Sequence, residues 1–402
     1  MKDLKHLIYF EKLLEDANNE LLRKAAADGK LILGYTCFHM PEVLLNLDKC
    51  VSTRMRAPKT GSMDIATYYM SNYTCEYCRA ILERAIEGGY NFLDSIGGVD
   101  ACAQMNRCME NMAIMKLVDK PNFFVSHVDV PCKLDEGAVP HYRQQLELKV
   151  LNPLRDNFGV DTSDKAVREA VAVHNEVCDI ITEIGEMRKE YNPKISGYEF
   201  HILNLVSYCC PKYLIVGKLR ETLEELKTRE RDEASKYRAR VVLVGSEIDD
   251  PELTKLIEDS GALVVMDRYC FGSMPGRQRI DLNDDEPALD QVCLRYMQDS
   301  QCPRYVSAEK KNQRWDFIRG AVKEYNADGV IYEQIKFCDY WGYERALASH
   351  IMSGEFDIPT LSVDRPYMSR TSGQLRTRFQ AFVESLEIKR INKSKKNGEV
   401  SV

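Results

Sequence analysis

Short apolar runs alternate with longer amphipathic ones along this chain. LILGYT (31–36), NFLDSI (91–96) and NFFVSHVDV (122–130) read as strands. RVVLVGSE (240–247), ALVVMD (262–267), GVIYEQI (329–335) and IPTLSVD (358–364) form a second group. Runs this short, rich in β-branched residues and bounded by turn residues, fit buried strands. Helical periodicity covers 1–29, 62–88, 103–117, 138–157 and 373–389, while 37–61 reads as turns and loops. Asp249-Asp250-Pro251 opens another helix, with acids and an early proline in its first turn. Strands alternating with helices predict doubly wound, largely parallel sheets. Residues 160–235 are mostly helical, and charged stretches such as EIGEMRKEYN read as solvated faces. The expected organisation is an N-terminal helix (1–30), a first α/β domain (31–160), a helical connecting segment (161–235), a second α/β domain (236–389) and a disordered basic tail (390–402).

Composition narrows the class. A chain of 402 residues can bury two or more cores. A net charge of −7 gives no basis for nucleic-acid binding. The first twenty residues carry charges throughout, unlike a secretory signal, and no apolar run reaches membrane-spanning length. A cytoplasmic protein without membrane contact is expected.

Fourteen cysteines then change the picture. In a cytosolic chain they are not a disulfide framework. Cys50, Cys108, Cys178 and Cys293 read as small buried hydrophobes, and adjacent Cys209 and Cys210 as core or loop residues. Cys102, Cys132 and Cys338 each follow a predicted strand, where ligands gather in α/β folds. Three such thiols suggest an iron–sulfur cluster assembled by the fold; three unrelated core cysteines are the plain alternative. Cys75-Glu-Tyr-Cys78 invites a zinc or redox reading but lacks a second ligand pair, and both thiols could simply be packed. VLVGSEIDD lacks the spaced glycines of a dinucleotide fingerprint, and there is no Walker A loop.

The chain resembles the 2-hydroxyacyl-CoA dehydratase and benzoyl-CoA reductase family. The matching stretches run almost end to end: GYTCFHMPEVLL (34–45), CEYCRAILERAIEGGYNFLDSIGGVDACAQMNR (75–107), KISGYEFH (194–201), RVVLVGSEIDDPELTKLIEDSGALVVMDRYCFGS (240–273), RYMQDSQCP (295–303), DGVIYEQIKFCDYWGYE (328–344) and LRTRFQAFVE (375–384). The resemblance implies two doubly wound, Rossmann- or flavodoxin-like domains and one 4Fe-4S cluster held by three cysteines. It also implies a homologous second subunit and a separate ATP-hydrolysing iron–sulfur activator. Cys102 matches the cysteine after the Phe-Leu-Asp strand, and Cys338 the Phe-Cys-Asp turn. Cys132 matches the intervening position less directly, with Cys270 in reserve. Many relatives follow the first ligand with Asp, whereas Ala103-Gln104 follows Cys102 here, so the polar surroundings differ. The loop Cys37–Glu42 resembles part of the family's substrate pocket. His39 and Glu42 are its candidate acid–base residues, although Glu42 beside Pro41 also suits a helix start.

The activity so implied is a lyase subunit that removes water from a 2-hydroxyacyl-CoA. One electron added to the thioester would give a ketyl radical that expels the hydroxyl and acidifies the β-position; the protein would be oxygen-sensitive. Three alternatives stand beside it. They are a benzoyl-CoA-type reductase, a non-catalytic or electron-relay partner subunit, and a homodimeric relative with a larger iron–sulfur assembly using Cys75 and Cys78.

Overall fold

The computed structural model describes residues 2–231, 236–273, 278–298, 300–368 and 372–396. Its strands form two four-stranded, all-parallel sheets. The first contains β1 (Leu31–Tyr35), β2 (Cys50–Arg54), β3 (Ser95–Asp100) and β4 (Phe124–Asp129), in the order β2-β1-β3-β4. The second contains β5 (Ala239–Gly245), β6 (Ala262–Tyr269), β7 (Gly329–Ile335) and β8 (Thr360–Arg365), in the order β6-β5-β7-β8. Each sheet therefore reverses its winding between its first and third strands. Crevices for ligands open at such switch points, beyond the carboxyl ends of the strands.

The helices are α1 (Leu7–Leu14), α2 (Glu20–Ala27), α3 (Glu76–Ile86), α4 (Ala103–Ile114), α5 (Ala138–Leu146), α6 (Asn152–Phe158), α7 (Asp164–Glu186), α8 (Gly197–Cys209), α9 (Lys212–Thr228), α10 (Glu252–Asp259), α11 (Ala288–Gln298), α12 (Ala308–Glu324), α13 (Asp339–Gly354) and α14 (Ser372–Lys396). The connecting helices are not merely solvated. α8 is buried almost all round and packs against both edge strands β2 and β6, as well as α1 and α10. A capping box of Ser196 and Glu199 starts it. Among the described residues, no helix is long and apolar enough to cross a membrane.

Five elements differ from the sequence expectation. The helix expected over 62–88 forms only as a 3-10 turn at Ala66–Tyr68 and, from Glu76, as α3. The N-terminal helix is two, because Asn19 caps a new start through hydrogen bonds from the N–H groups of Leu21 and Leu22. The segment read as loop contains β2, whose Ser52, Thr53 and Arg54 hide it from a hydrophobicity scan although all five residues are buried. The 138–157 helix carries a π-helical stretch at Glu147–Leu151, just before Pro153 interrupts the hydrogen-bond ladder. The last helix runs on through the basic tail to Lys396, over residues that are good helix formers, and 397–402 lie outside the described residues.

Candidate functional site

The two switch points open onto one cavity. Thr36 and Cys37 follow β1, Ala101 and Cys102 follow β3, Ser246 and Glu247 follow β5, and Cys338 follows β7; all of them line it. Cys75 and Cys78 at the start of α3, Cys270 beyond β6, and Cys302 bring the lining thiols to seven. None of the fourteen cysteines forms a disulfide.

Three of these thiols share one local design. Cys75, Cys102 and Cys338 are the N-cap residues of α3, α4 and α13, and none of the three side chains caps its own helix. Three helix N-termini thus bring partial positive charge to the cavity, which favours thiolates and any anionic group among them. The thiols are also in contact. Hydrogen bonds from Cys338 and Cys78 hold Cys75 well below the ordinary thiol range. Cys78 likewise lowers Cys102. Acting as donors pushes Cys78 and Cys338 upward. Among the other lining thiols, burial raises Cys37 to about 12 and Cys302 to about 11, and raises Cys270 strongly.

Among the described residues, no group of three or more His, Cys, Asp or Glu side chains is gathered as one metal ion requires. The thiols surround a space instead. Glu247 is the one carboxylate in the described lining and no histidine contributes. Such a donor set suits a polynuclear iron–sulfur group better than zinc.

The cavity's charged wall is Arg54. Its buried guanidinium stacks 4.0 Å from the Phe271 ring and lies 3.2 Å from the Glu247 carboxylate. It also donates to the carbonyl oxygens of Thr36 and Cys270. Burial raises Glu247 to about 7, against the pull of Arg54. The loop carrying Glu247 is held from below by Ser246, whose N–H and hydroxyl donate to Glu333 at 2.9 Å.

The expected site residues divide. Cys102, Cys338 and the reserve Cys270 line the cavity. Cys132 does not: it is exposed and follows β4, the edge strand, whose carboxyl end lies away from the β1/β3 switch point. His39 is buried behind the wall, its Nδ1 3.3 Å from Cys37 Sγ and its Nε2 3.0 Å from Ser300 Oγ. Burial, with the charges of Arg304 and Arg54, lowers its pKa far enough to keep it neutral. Glu42 is enclosed elsewhere. It accepts from Tyr35 (2.9 Å) and lies 3.0 Å from both His174 Nδ1 and Lys212 Nζ. Those cations hold its carboxyl far below the usual range despite burial.

Several lining residues stand outside the single-cluster set expected from the sequence, in which Cys75 and Cys78 figure as iron–sulfur ligands only of a larger assembly. Cys75 and Cys78 lack a second ligand pair, yet Cys75 shares with Cys102 and Cys338 a place directly before a helical run. Glu247 follows its strand as Cys37 follows β1, which is a usable signal. Arg54 gives none, because the strand that ends with it is itself hidden from the hydrophobic pattern.

Comparison with known proteins gives consistent matches. The family model for the D-component of 2-hydroxyglutaryl-CoA dehydratase matches residues 37–386. The chain is 21% identical over 378 residues to the (R)-phenyllactyl-CoA dehydratase beta subunit of Clostridium sporogenes, covering 94% of this chain and 97% of that one. It is 23% identical over 375 residues to the (R)-2-hydroxyglutaryl-CoA dehydratase beta subunit of Acidaminococcus fermentans, covering 91% and 95%. It is 22% identical over 391 residues to one of the subunits of benzoyl-CoA reductase from Thauera aromatica, covering 94% and 97%.

Proposed function

We propose, from the premise that the chain belongs to the 2-hydroxyglutaryl-CoA dehydratase D-component family, that it is an iron–sulfur subunit of a 2-hydroxyacyl-CoA dehydratase. The observation that carries this reading is the meeting of Cys75, Cys102 and Cys338, three thiols at helix N-cap positions, two of which follow strands at the two sheets' switch points. The names of two relatives as dehydratase beta subunits support the reaction class. Cys75, Cys102 and Cys338 would hold a 4Fe-4S cluster, with Cys78 in contact with two of them. When bound, such a group supplies one-electron chemistry and, at an iron without a protein ligand, a Lewis acid.

The chain's own residues have separable tasks in this reading. Arg54, fixed by Glu247 and Phe271, places a permanent positive charge at the wall, where it stabilises negative charge on an acyl thioester oxygen. Glu247, with its pKa near 7, can hold or release a proton at its carboxylate beside the cavity. The apolar lining excludes water. Glu42 anchors the turn that carries Cys37 and His39, and neutral His39 orients Cys37. A homologous second subunit, an ATP-dependent activator and an acyl-CoA substrate complete the proposed system. Relatives named as subunits of such enzymes support the need for a partner.

The test is anaerobic purification, iron and sulfide analysis, and electron paramagnetic resonance of the reduced chain. Turnover of 2-hydroxyacyl-CoA thioesters with the partner and activator follows. A colourless, iron-free chain would end this reading. An acyl-CoA product that retains the electrons would assign the chain to the reductase branch instead.

One observation favours a second reading. Cys37, Cys270 and Cys302 are surplus to a single cubane, line the same cavity and lie close enough to feel one another's charge. Seven thiols suit a larger iron–sulfur assembly in a homodimeric electron-transfer relative. Iron content separates the two readings: about four per chain for one cubane, and about twice that for the larger assembly.

A further inference from the structure

Gln104 joins the three segments that carry the helix-capping cysteines. It sits in the first turn of α4, two residues after Cys102. Its Oε1 accepts the backbone N–H of Cys75 at 2.5 Å. Its Nε2 donates to the backbone carbonyl of Phe337 at 3.0 Å and to Oδ2 of Asp339 at 2.6 Å. The chemistry fixes the amide's orientation: an N–H requires an acceptor, whereas a carbonyl and a carboxylate require donors. One side chain therefore spans the N-cap of α3, the first turn of α4 and both neighbours of Cys338.

The joint at Phe337 needs such a hold. Phe337 has φ of 66°, in the left-handed region that a bulky residue avoids. This conformation turns the chain from β7 into the cap of α13. Gln104 grips its carbonyl on one side, and the Cys338 N–H closes the turn onto Ile335 at 3.0 Å. A neighbouring link, from Glu76 N–H to the Lys336 carbonyl at 3.3 Å, joins the same two segments.

We infer that Gln104 is a positioning residue that sets the spacing of the Cys75, Cys102 and Cys338 thiols, so that they form a prepared donor set before any iron arrives. This rests on the proposed iron–sulfur reading. The test is built so that the two ideas fail separately.

The full chain, free of iron and reduced, is treated with the thiol–thiol crosslinker dibromobimane, and the Cys75–Cys338 product is quantified by peptide mapping. Gln104→Leu keeps the bulk of the side chain and removes its hydrogen bonds. Its crosslinking yield should fall at least about fivefold, the factor expected for a single net hydrogen bond, since three are removed. After reconstitution with ferrous iron and sulfide, its rate of iron loss to a chelator should rise by a similar factor. Its thermal midpoint should stay near the parental value. Adding Phe337→Gly to Gln104→Leu should restore crosslinking, because glycine takes the left-handed conformation without strain.

Parental crosslinking and iron retention in Gln104→Leu would overturn the inference. So would a collapse of thermal stability that Phe337→Gly does not relieve, which would mark a merely structural role. A parental chain that binds no iron but shows the crosslinking pattern would keep the positioning role and remove the cluster.

Discussion

Arg54 and Glu247 form an ion pair between the two sheets: Nη2 at the end of β2 lies 3.2 Å from Oε2 just beyond β5. Both groups face the thiol cavity and both are largely withdrawn from water. Without Arg54 the Glu247 carboxyl, already raised to about 7, takes up a proton rather than staying charged. Arg54→Met should still destabilise the iron-free chain by about 1–3 kcal/mol, because the Thr36 and Cys270 carbonyls lose their donor. Adding Glu247→Met should recover part of that loss by removing the buried carboxyl. Arg54→Lys should behave more like Met than like the parent, since an ammonium cannot reach the Thr36 and Cys270 carbonyls and stack on Phe271 together. Urea denaturation of the three variants checks the order. Equal midpoints would show that the pair contributes no net attraction.

The thiols should separate into ligands and bystanders. Cys75→Ser, Cys102→Ser and Cys338→Ser should each lose most of the bound iron, because each removes a cavity thiol at a helix N-cap. Cys132→Ser should keep it, since that residue is exposed and outside the lining. Iron analysis under anaerobic conditions decides the matter. Full loss in Cys132→Ser would require the turn after β4 to move to the cavity on loading.

Glu42 should reveal itself through stability before activity. It is closed off by Tyr35, His174 and Lys212, and its neighbour His174 is raised to about 10 despite burial. Glu42→Gln leaves two buried cations facing a neutral amide, so a loss of about 3–5 kcal/mol is expected. Calorimetry of the iron-free chain measures this. Wild-type stability with lost turnover would instead return Glu42 to the chemistry.

What is legible in the sequence follows from where its signals lie. β7, Gly329–Ile335, is legible to the residue because an apolar run with turn residues at both ends has few other readings. β2 is not, because its buried residues include Ser52, Thr53 and Arg54, which satisfy themselves through Asn46, Cys209 and Glu247 rather than through an apolar pattern. Cys102 and Cys338 are legible because both follow strands beside a switch point. Cys132 has the same local signature, but strand order decides which strand ends meet, and a linear reading does not contain that order. Cys75 arrives from the start of a helix rather than the end of a strand, so a strand-end rule passes over it.

A buried histidine outside the cavity lining gives the chain an acid limit. The Nε2 of His201 donates to the Ile248 carbonyl at 3.1 Å, and its Nδ1 lies 2.9 Å from the Thr254 hydroxyl, which can donate to it in the neutral ring. Burial lowers its pKa from 6.5 to about 4. The unfolded chain therefore takes up a proton near pH 6.5 while the folded chain does not. The neutral ring's contribution is fully present above that pH and is lost as pH falls towards 4. The shift corresponds to roughly 3 kcal/mol. His201→Phe should start less stable at pH 7.5, for want of two hydrogen bonds, yet should lose less stability on acidification. Urea midpoints for parent and variant at stepped pH test this. Parallel pH profiles would mean that His201 does not sense acid and that the chain's acid sensitivity belongs to other groups, buried His39 among them.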